Sequence, residues 1–239
     1  MSSRWPVCRW FLLLSGLIPV LALLASPPQT MLLVYTLFVV AVLLRKPIQA
    51  VAAPLRSRAM LALGLGVLLS GLTGEVLAWA NNYLARAEKP ILFHPQLIPD
   101  LIMGVGFYGG WAVAWMIVIR YFRFSFREVF CTTGLMGIAV ENSLTVLKMI
   151  LASLLANPLY ALMLGLYVFA TYGSMASIPF VVLEGSLDRP RQGSHWIKYP
   201  LAMALMASSA YLLTILAHLI AQPLGLIPAK RSIVDHPFF

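Results

Sequence analysis

Residues 59–80 read AMLALGLGVLLSGLTGEVLAWA, and Glu75 is the single charged side chain in this stretch. An α-helix needs about 20 mainly apolar residues to cross the hydrocarbon core of a bilayer. The stretch meets that length and contains no proline. It therefore predicts a transmembrane helix that carries one carboxyl group into the membrane.

The composition of the whole chain agrees with this interpretation. Of its 239 residues, 61% are hydrophobic and 10% are charged, and the mean hydropathy is +0.88. Soluble domains contain about 45 to 50% apolar and about 25% charged residues. The composition predicts an integral membrane protein whose main partner is the lipid bilayer, folded as a single domain over residues 1–239.

Six further apolar runs resemble the first one, and helix-breaking or polar residues separate them. Pro27-Pro28 ends the first run and Arg45-Lys46-Pro47 ends the second, because proline cannot continue a helix. The fold class predicted is an all-α, polytopic transmembrane bundle of about seven spans. The predicted spans cover approximately residues 10–26, 30–44, 59–80, 99–122, 129–155, 158–183 and 199–220.

The basic residues predict the orientation of the bundle. Most of the 17 Lys and Arg residues fall in alternate loops on one side, which the positive-inside rule assigns to the cytoplasm. These residues are Arg4, Arg9, Arg45, Lys46, Arg56, Arg58, Arg120, Arg123, Arg127, Arg189, Arg191 and Lys198. The opposite loops hold only Arg86, Lys89, Lys230 and Arg231. We therefore expect a cytoplasmic N-terminus, an extracytoplasmic C-terminus and a bacterial or organellar inner membrane.

The basic residues allow two alternative interpretations. Arg4 and Arg9 before an apolar run also resemble the start of a signal peptide, with Ala25-Ser26 as a poor cleavage site, so cleavage of the first span stays open. A nucleic-acid surface would need basic residues on a polar face. Here they lie between apolar runs, and we expect no nucleic-acid partner.

Ionisable residues inside the predicted spans are the candidates for function, because each costs at least about 2.5 to 3.5 kcal/mol at the helix centre. At about 1.5 Å of rise per residue, Glu75 and Glu141 share one depth, and Lys148 and His218 lie nearer the outer surface. Two carboxyl groups at one depth predict a proton-handling pocket in the outer half of the membrane.

Glu75 and Glu141 are accordingly the candidate catalytic acid and base. The residues expected to bind substrate or to tune the carboxyl groups are Asn82, Asp100, Asn142, Lys148 and His218. On a continuous fifth helix, Glu141, Thr145 and Lys148 would share one face. The alternative is that Lys148 neutralises Glu75 or Asp100 in a buried structural ion pair.

Several other features carry weaker signals. Tyr108, Tyr172 and Tyr211 lie too deep for an interfacial belt, so they either line an amphipathic cavity or pack in the core. The outer loop 81–96 is long enough to act as a lid, and His94 within it is interpreted as a surface histidine.

Glycines indicate close helix packing. Gly106 and Gly110 form a Gly-x-x-x-Gly pair. A faint internal similarity also links Gly71-Leu-x-Gly74 before Glu75 with Gly134-Leu-x-Gly137 before Glu141.

The leading functional hypothesis is a membrane-embedded enzyme that acts on a lipid or isoprenoid-like substrate by carboxylate acid/base chemistry. The alternatives are a small proton- or ion-coupled transporter and an accessory or assembly subunit that binds a membrane-protein partner. A cavity holding both carboxyl groups favours the enzyme, a central pathway favours the transporter, and an outward polar stripe favours the subunit. No metal site is predicted, since the histidines lack helical metal-ligand spacing, and the sequence indicates no particular cofactor.

Overall fold

The computed structural model describes residues 4–25, 29–141, 144–187 and 196–239. Across these ranges the chain forms helices and no strands, which confirms the all-α fold class. The α-helices are α1 Arg4–Ala25, α2 Gln29–Leu43, α3 Arg45–Val51, α4 Ala59–Leu84, α5 Leu97–Tyr121, α6 Phe126–Val140, α7 Thr145–Ser153, α8 Pro158–Val182 and α9 Lys198–Ala221. A 3-10 helix, Ala53–Arg58, leads into α4.

Helix length and composition are those of a multi-pass integral membrane protein. Four helical segments of the described chain are long and apolar enough to cross a membrane, namely Ala53–Leu84, Leu97–Tyr121, Pro158–Val182 and Lys198–Ala221. The number rises to six if each of two bent helix pairs forms one span, and Cys8–Leu21 is a shorter apolar helix. The count of seven spans and the sides on which the termini lie stay predictions.

Two of the predicted spans are bent. Thr30–Leu43 meets Arg45–Val51 at 81°, and Phe126–Val140 meets Thr145–Ser153 at 86°. The prediction of one continuous helix over residues 129–155 is therefore wrong. Leu144, immediately before α7, has φ +71°, and such a left-handed residue cannot continue a right-handed helix.

Helices α5 and α9 pack closely and run antiparallel. A Cβ atom at Gly106 would lie 2.7 Å from the carbonyl oxygen of Leu213, and one at Gly110 would overlap the backbone of Ala210. The Ser209 hydroxyl donates a hydrogen bond of 2.8 Å to the Gly110 carbonyl. These contacts confirm that the Gly-x-x-x-Gly pair serves helix packing.

One end of the bundle, here called the basic end, is held by ion pairs that join α6 to α9 and the start of α3 to the residues after α8. Lys198 Nζ lies 2.6 Å from Glu128 Oε1, and Arg45 lies 3.8 Å from Glu184. Ser125 caps α6 and forms a reciprocal capping box with Glu128. The positive charge gathered here is therefore partly neutralised by specific carboxylates.

The opposite end is covered by two segments that are distant in the chain, and together they are called the cap. The cap consists of residues 85–96 and 222–239. The backbone N–H groups of Leu97 and Ile98 donate to the carbonyls of Pro237 and Phe238, at 3.0 and 3.2 Å. The first backbone amides of a helix have no hydrogen-bond acceptor within that helix. The cap segment 222–239 therefore supplies the acceptors that the first amides of α5 lack.

His94 lies inside the cap and is only 2% exposed, so its interpretation as a surface histidine is wrong. Its Nδ1 accepts from the Gln96 backbone N–H at 3.2 Å, and its Nε2 donates to the Pro228 carbonyl at 3.0 Å. The Gln96 side chain also donates to the carbonyl of Arg231. Burial lowers the pKa of His94, because the charged ring would lose solvation.

Candidate functional site

A cavity of about 800 Å³ lies beneath the cap, bounded mainly by α4, α5, α8 and α9. The carboxyl groups of Glu75 and Glu141 both line it. Most of the other lining residues are apolar or aromatic. The remaining polar ones are Thr30, Asn81, Asn82, Tyr108, Tyr167, Thr171, Tyr172, Tyr211 and Thr214.

Glu75 projects from α4 and is 7% exposed. The Tyr108 hydroxyl donates a hydrogen bond of 2.6 Å to Glu75 Oε1. Gly71 lies one turn before Glu75, and a Cβ atom there would overlap the ring of Tyr108. The absence of a side chain at position 71 therefore gives the tyrosine the space that it needs to reach the carboxylate.

Glu141 follows the last residue of α6, at the break between α6 and α7. The Tyr172 hydroxyl donates a short hydrogen bond to Glu141 Oε2. Gly137 lies one turn before Glu141, and a Cβ atom there would overlap the ring of Tyr172. Each cavity glutamate is thus paired with a tyrosine that packs on a glycine four residues earlier.

This arrangement gives the faint internal similarity a structural meaning, with one adjustment of register. The position equivalent to Gly71 is Gly137 rather than Gly134, since it is Gly137 that makes room for a tyrosine. The spacing from glycine to glutamate is four residues in both helices. The shared feature is therefore Gly-x-x-x-Glu, which places the glycine and the carboxyl group on one helix face.

The two glutamate–tyrosine pairs are neighbours. The side chains of Tyr108 and Tyr172 both line the cavity. Trp111 packs against both, with ring centroids 5.9 Å from Tyr108 and 5.3 Å from Tyr172. Polar groups consequently run from Glu75 through the two tyrosines to Glu141.

Asp100 joins this site to the cap. It is fully buried, and its Oδ1 accepts the backbone N–H of His94 at 2.9 Å. Its Oδ2 is buried and has no hydrogen-bond donor among the described residues. An ionised carboxylate can only accept hydrogen bonds, so this oxygen lacks the donor that the ionised form would need.

The remaining residues predicted for the site lie in different places. Asn82 lines the cavity, and its Nδ2 donates to the Ala78 carbonyl at 2.8 Å. Lys148 is exposed on α7 and His218 is half-buried on α9, and neither lines the cavity. Asn142 lies outside the described residues.

The break before α7 explains the position of Lys148. Because the helix axis turns by 86° there, Glu141 and Lys148 do not lie on one continuous helix, and the prediction of a shared face is wrong. None of the ion pairs found among the described residues joins Lys148 to Glu75 or Asp100. The structure thus offers no support for the alternative of a buried structural pair.

Aromatic residues and the cap complete the cavity. Tyr108, Tyr172 and Tyr211 line it, as one of their two interpretations predicted. Sequence reasoning missed Tyr167 and Thr171. Their spacing of four residues on α8, continued at Met175, places all three on one helix face. The roof is formed by cap residues Ile91, Leu92 and Phe93.

Acidic but not basic side chains of the described residues line the cavity. Two carboxyl groups line it, but no Lys, Arg or His residue of the described chain does so. Within the same described ranges, no group of three or more His, Cys, Asp or Glu side chains is arranged to hold a metal ion. Tyrosine hydroxyl groups are therefore the principal hydrogen-bond partners of the two glutamates.

Comparisons of the chain with family models, with curated proteins and with solved structures each found no match.

Proposed function

We propose that the protein is a membrane-embedded enzyme that acts on a lipid-like substrate by acid/base chemistry of Glu75 and Glu141. The observation that carries the proposal is that both carboxyl groups line one largely apolar cavity and that each accepts a hydrogen bond from a tyrosine. A positioned acid or base typically accelerates a reaction by about 10² to 10⁴-fold. Two carboxyl groups with different neighbours can perform the two roles.

The neighbours suggest which glutamate has which role. Glu75, which is almost completely buried and accepts a hydrogen bond from Tyr108, acts as the general acid and protonates the leaving group. Glu141, which has Tyr172 as its hydrogen-bond donor, acts as the general base and removes a proton from water or from the substrate. The hydroxyl groups of Tyr108 and Tyr172 return that proton from Glu141 to Glu75, so that both residues regain their starting states.

The lining favours a substrate with a hydrocarbon portion. Leu92, Met103, Leu164, Val168 and Ile215 contribute apolar surface to the cavity. Cavities of about 300 to 1,000 Å³ bury most of a small organic molecule. Because the cavity lies within a bundle of membrane-spanning helices, a bilayer lipid is the most accessible molecule of this type.

Lipid conversion by the purified full-length protein tests the proposal. The protein is reconstituted in nanodiscs, incubated with a lipid extract of bacterial inner membranes, and the lipids are compared by mass spectrometry over time. We expect at least one lipid to be consumed, and we expect Glu75→Gln and Glu141→Gln each to slow the conversion by about 10² to 10⁴-fold. The matched control is Glu88→Gln, which removes an exposed carboxyl group of the cap. Identical lipid profiles for all four proteins and for empty nanodiscs would contradict the proposal.

A proton- or ion-coupled carrier is the second candidate, because a second cavity of about 870 Å³ lies at the basic end. Its lining includes Ile119, whereas Tyr108 on the same helix lines the cavity beneath the cap. Trp111 and Trp115 lie between them and are almost completely buried. A carrier would have to open this barrier, and Glu75-dependent proton flux into liposomes would favour it over the enzyme.

The accessory-subunit hypothesis has the least support. It requires intramembrane polar groups on the outside of the bundle. Glu75 and Asp100 are instead 7% and 0% exposed, respectively.

A further inference from the structure

We infer that the cavity beneath the cap binds an amphiphile with a positively charged amino head, seated between Glu75 and Glu141, and with a hydrocarbon tail against the apolar lining. This inference rests on the proposed function, since it names the substrate class of the same cavity. It concerns the charge of the ligand, which the proposed function leaves open.

Acidic side chains at the cavity are not balanced by basic ones among the described residues. Glu75 is 7% exposed, Asp100 is fully buried, and Glu141 is half-buried. No basic side chain of the described residues lines the cavity, and Lys148 is exposed elsewhere. Carboxyl groups taken out of water must be neutralised by a proton or a cation. The described residues place no basic side chain at these carboxyl groups, so a cationic ligand group is complementary to them.

A buried carboxyl group of α5 has an acceptor oxygen without a hydrogen-bond donor. Asp100 is fully buried in the first turn of α5, and its Oδ2 has no hydrogen-bond donor among the described residues. An ammonium group carries three N–H donors, so one seated between Glu75 and Glu141 would donate to both of these carboxyl groups and add a positive charge to an acidic region.

Aromatic rings provide a further argument. Phe93, Phe107, Tyr167 and Tyr211 line the cavity together with the two glutamates. The faces of such rings attract ammonium groups, and the attraction is strongest where water is excluded. In addition, Thr214 lines the cavity, and its buried Oγ1 has no hydrogen-bond partner among the described residues.

The same lining disfavours phosphorylated ligands. Phosphate groups are recognised by Arg, Lys and helix N-termini, and the described lining contains neither Arg nor Lys. A phosphate beside Glu75 and Glu141 would add negative charge to a site that already lacks a cation. An isoprenoid diphosphate is therefore a poor ligand, and a phosphatidylethanolamine, whose amine lies close to its phosphate, is poorer than a free long-chain amine.

Ligand binding to the full-length protein tests this inference. The protein is placed in nanodiscs of a neutral galactolipid, and binding of tritiated dodecylamine is measured by scintillation proximity against empty discs. Unlabelled dodecylamine, dodecyltrimethylammonium, dodecanol, dodecyl phosphate and phosphatidylethanolamine are the competitors. We expect saturable binding, with the first two at least tenfold more potent than the last three. Equal competition by dodecanol and dodecylamine, or no saturable binding, would overturn the inference.

Variants locate the binding within the cavity. Glu75→Gln and Glu141→Gln should each weaken dodecylamine binding at least tenfold, whereas Glu88→Gln should bind like the wild type. Size-exclusion profiles and circular dichroism establish that the variants are folded. The competition series on the wild type tests the inference even if a variant fails to fold. Wild-type affinity in both folded cavity variants would overturn the assignment of the amine to these carboxylates.

The two proposals fail in different ways. If the lipid extract is converted in a Glu75-dependent manner but dodecylamine neither binds nor inhibits, then the amine inference is wrong and the enzyme proposal stands. If dodecylamine binds through the carboxylates but no lipid is converted, then the amine site stands and the enzyme proposal is wrong.

Discussion

The carboxyl groups at the two ends of the bundle have different kinds of partner. At the basic end, Glu128 Oε1 lies 2.6 Å from Lys198 Nζ and accepts the Tyr199 hydroxyl at 2.7 Å. Beneath the cap, Glu75 and Glu141 accept hydrogen bonds from tyrosines, and no basic side chain of the described lining is near them. One end therefore has a carboxylate fixed by a lysine, and the other has carboxyl groups without a cation.

This difference separates structural from reactive groups. A carboxylate paired with a buried lysine is held in its ionised form, because protonation would leave the lysine uncompensated. A carboxyl group bonded to a tyrosine hydroxyl keeps a hydrogen-bond partner in either protonation state, since the hydroxyl can donate or accept. Only the second kind can exchange a proton during a reaction without disrupting its surroundings.

The largest expected effect is on catalysis. Glu141→Gln should reduce the initial rate of lipid conversion by about 10² to 10⁴-fold, the usual contribution of a general base, without lowering the thermal unfolding temperature. Glu128→Gln should do the opposite, since its carboxylate serves the ion pair. If Glu141→Gln lowers stability and leaves the rate unchanged, the distinction between the two ends does not hold.

Removal of the lysine at the basic end should give the next largest effect. Lys198→Met should lower the free energy of unfolding by about 2 to 3 kcal/mol, below the range for a fully buried pair, because the Glu128 side chain is 31% exposed. Unfolding in mixed micelles measures it, and Lys46→Met, at an exposed lysine of the same end, is the control. In a Glu128→Gln background the loss should shrink, and an unchanged loss would show that the ion pair is not its cause.

The glycines beneath the tyrosines allow a finer test. Gly71→Ala should displace the Tyr108 ring, with an overpacking cost of about 1 to 3 kcal/mol and slower lipid conversion. Gly109→Ala is the matched control, because a Cβ atom there has no neighbour within 4 Å, and a better helix former should stabilise the protein slightly. Equal stability and conversion rates in the two variants would show that Tyr108 does not depend on position 71.

The smallest effect concerns the cap and pH. Since burial lowers the pKa of His94, an opened cap binds a proton at a pH where the closed cap does not. The cap should therefore lose stability as the pH falls below about 6.5, the ordinary pKa of histidine. Hydrogen exchange at the amides of Leu97 and Ile98, corrected for intrinsic rates, measures this opening. His94→Gln should remove the dependence, and His236→Gln, at an exposed histidine, should preserve it.

Much of the fold could be predicted because apolar length is a local signal. The predicted spans over 59–80, 99–122, 158–183 and 199–220 differ by only a few residues from α4, α5, α8 and α9. The break between α6 and α7 was missed, because averaged hydropathy does not detect a left-handed residue. The polar run Glu141-Asn142-Ser143 was the available signal, since Asn and Ser favour caps and turns over helix interiors.

The site could be predicted only in part, for a related reason. Glu75 and Glu141 were identified because charged residues are rare in spans, whereas their partners depend on contacts between distant helices. Nothing local to Asp100 indicates that it accepts the His94 backbone N–H, and nothing local to Pro237 indicates that it caps α5. Lys148 was misplaced because its predicted position assumed an unbroken helix.

The composition of the cap has a consequence for biosynthesis. The amides of Leu97 and Ile98 are satisfied by the carbonyls of Pro237 and Phe238, which leave the ribosome long after α5 has been inserted. During that interval the first amides of α5 lack these hydrogen-bond acceptors. The cap segment 85–96, which forms the roof of the cavity, likewise lacks its contacts with residues 222–239. Docking of residues 222–239 therefore follows the insertion of α5, and substitutions in these residues would interfere with the completion of the site rather than with membrane insertion.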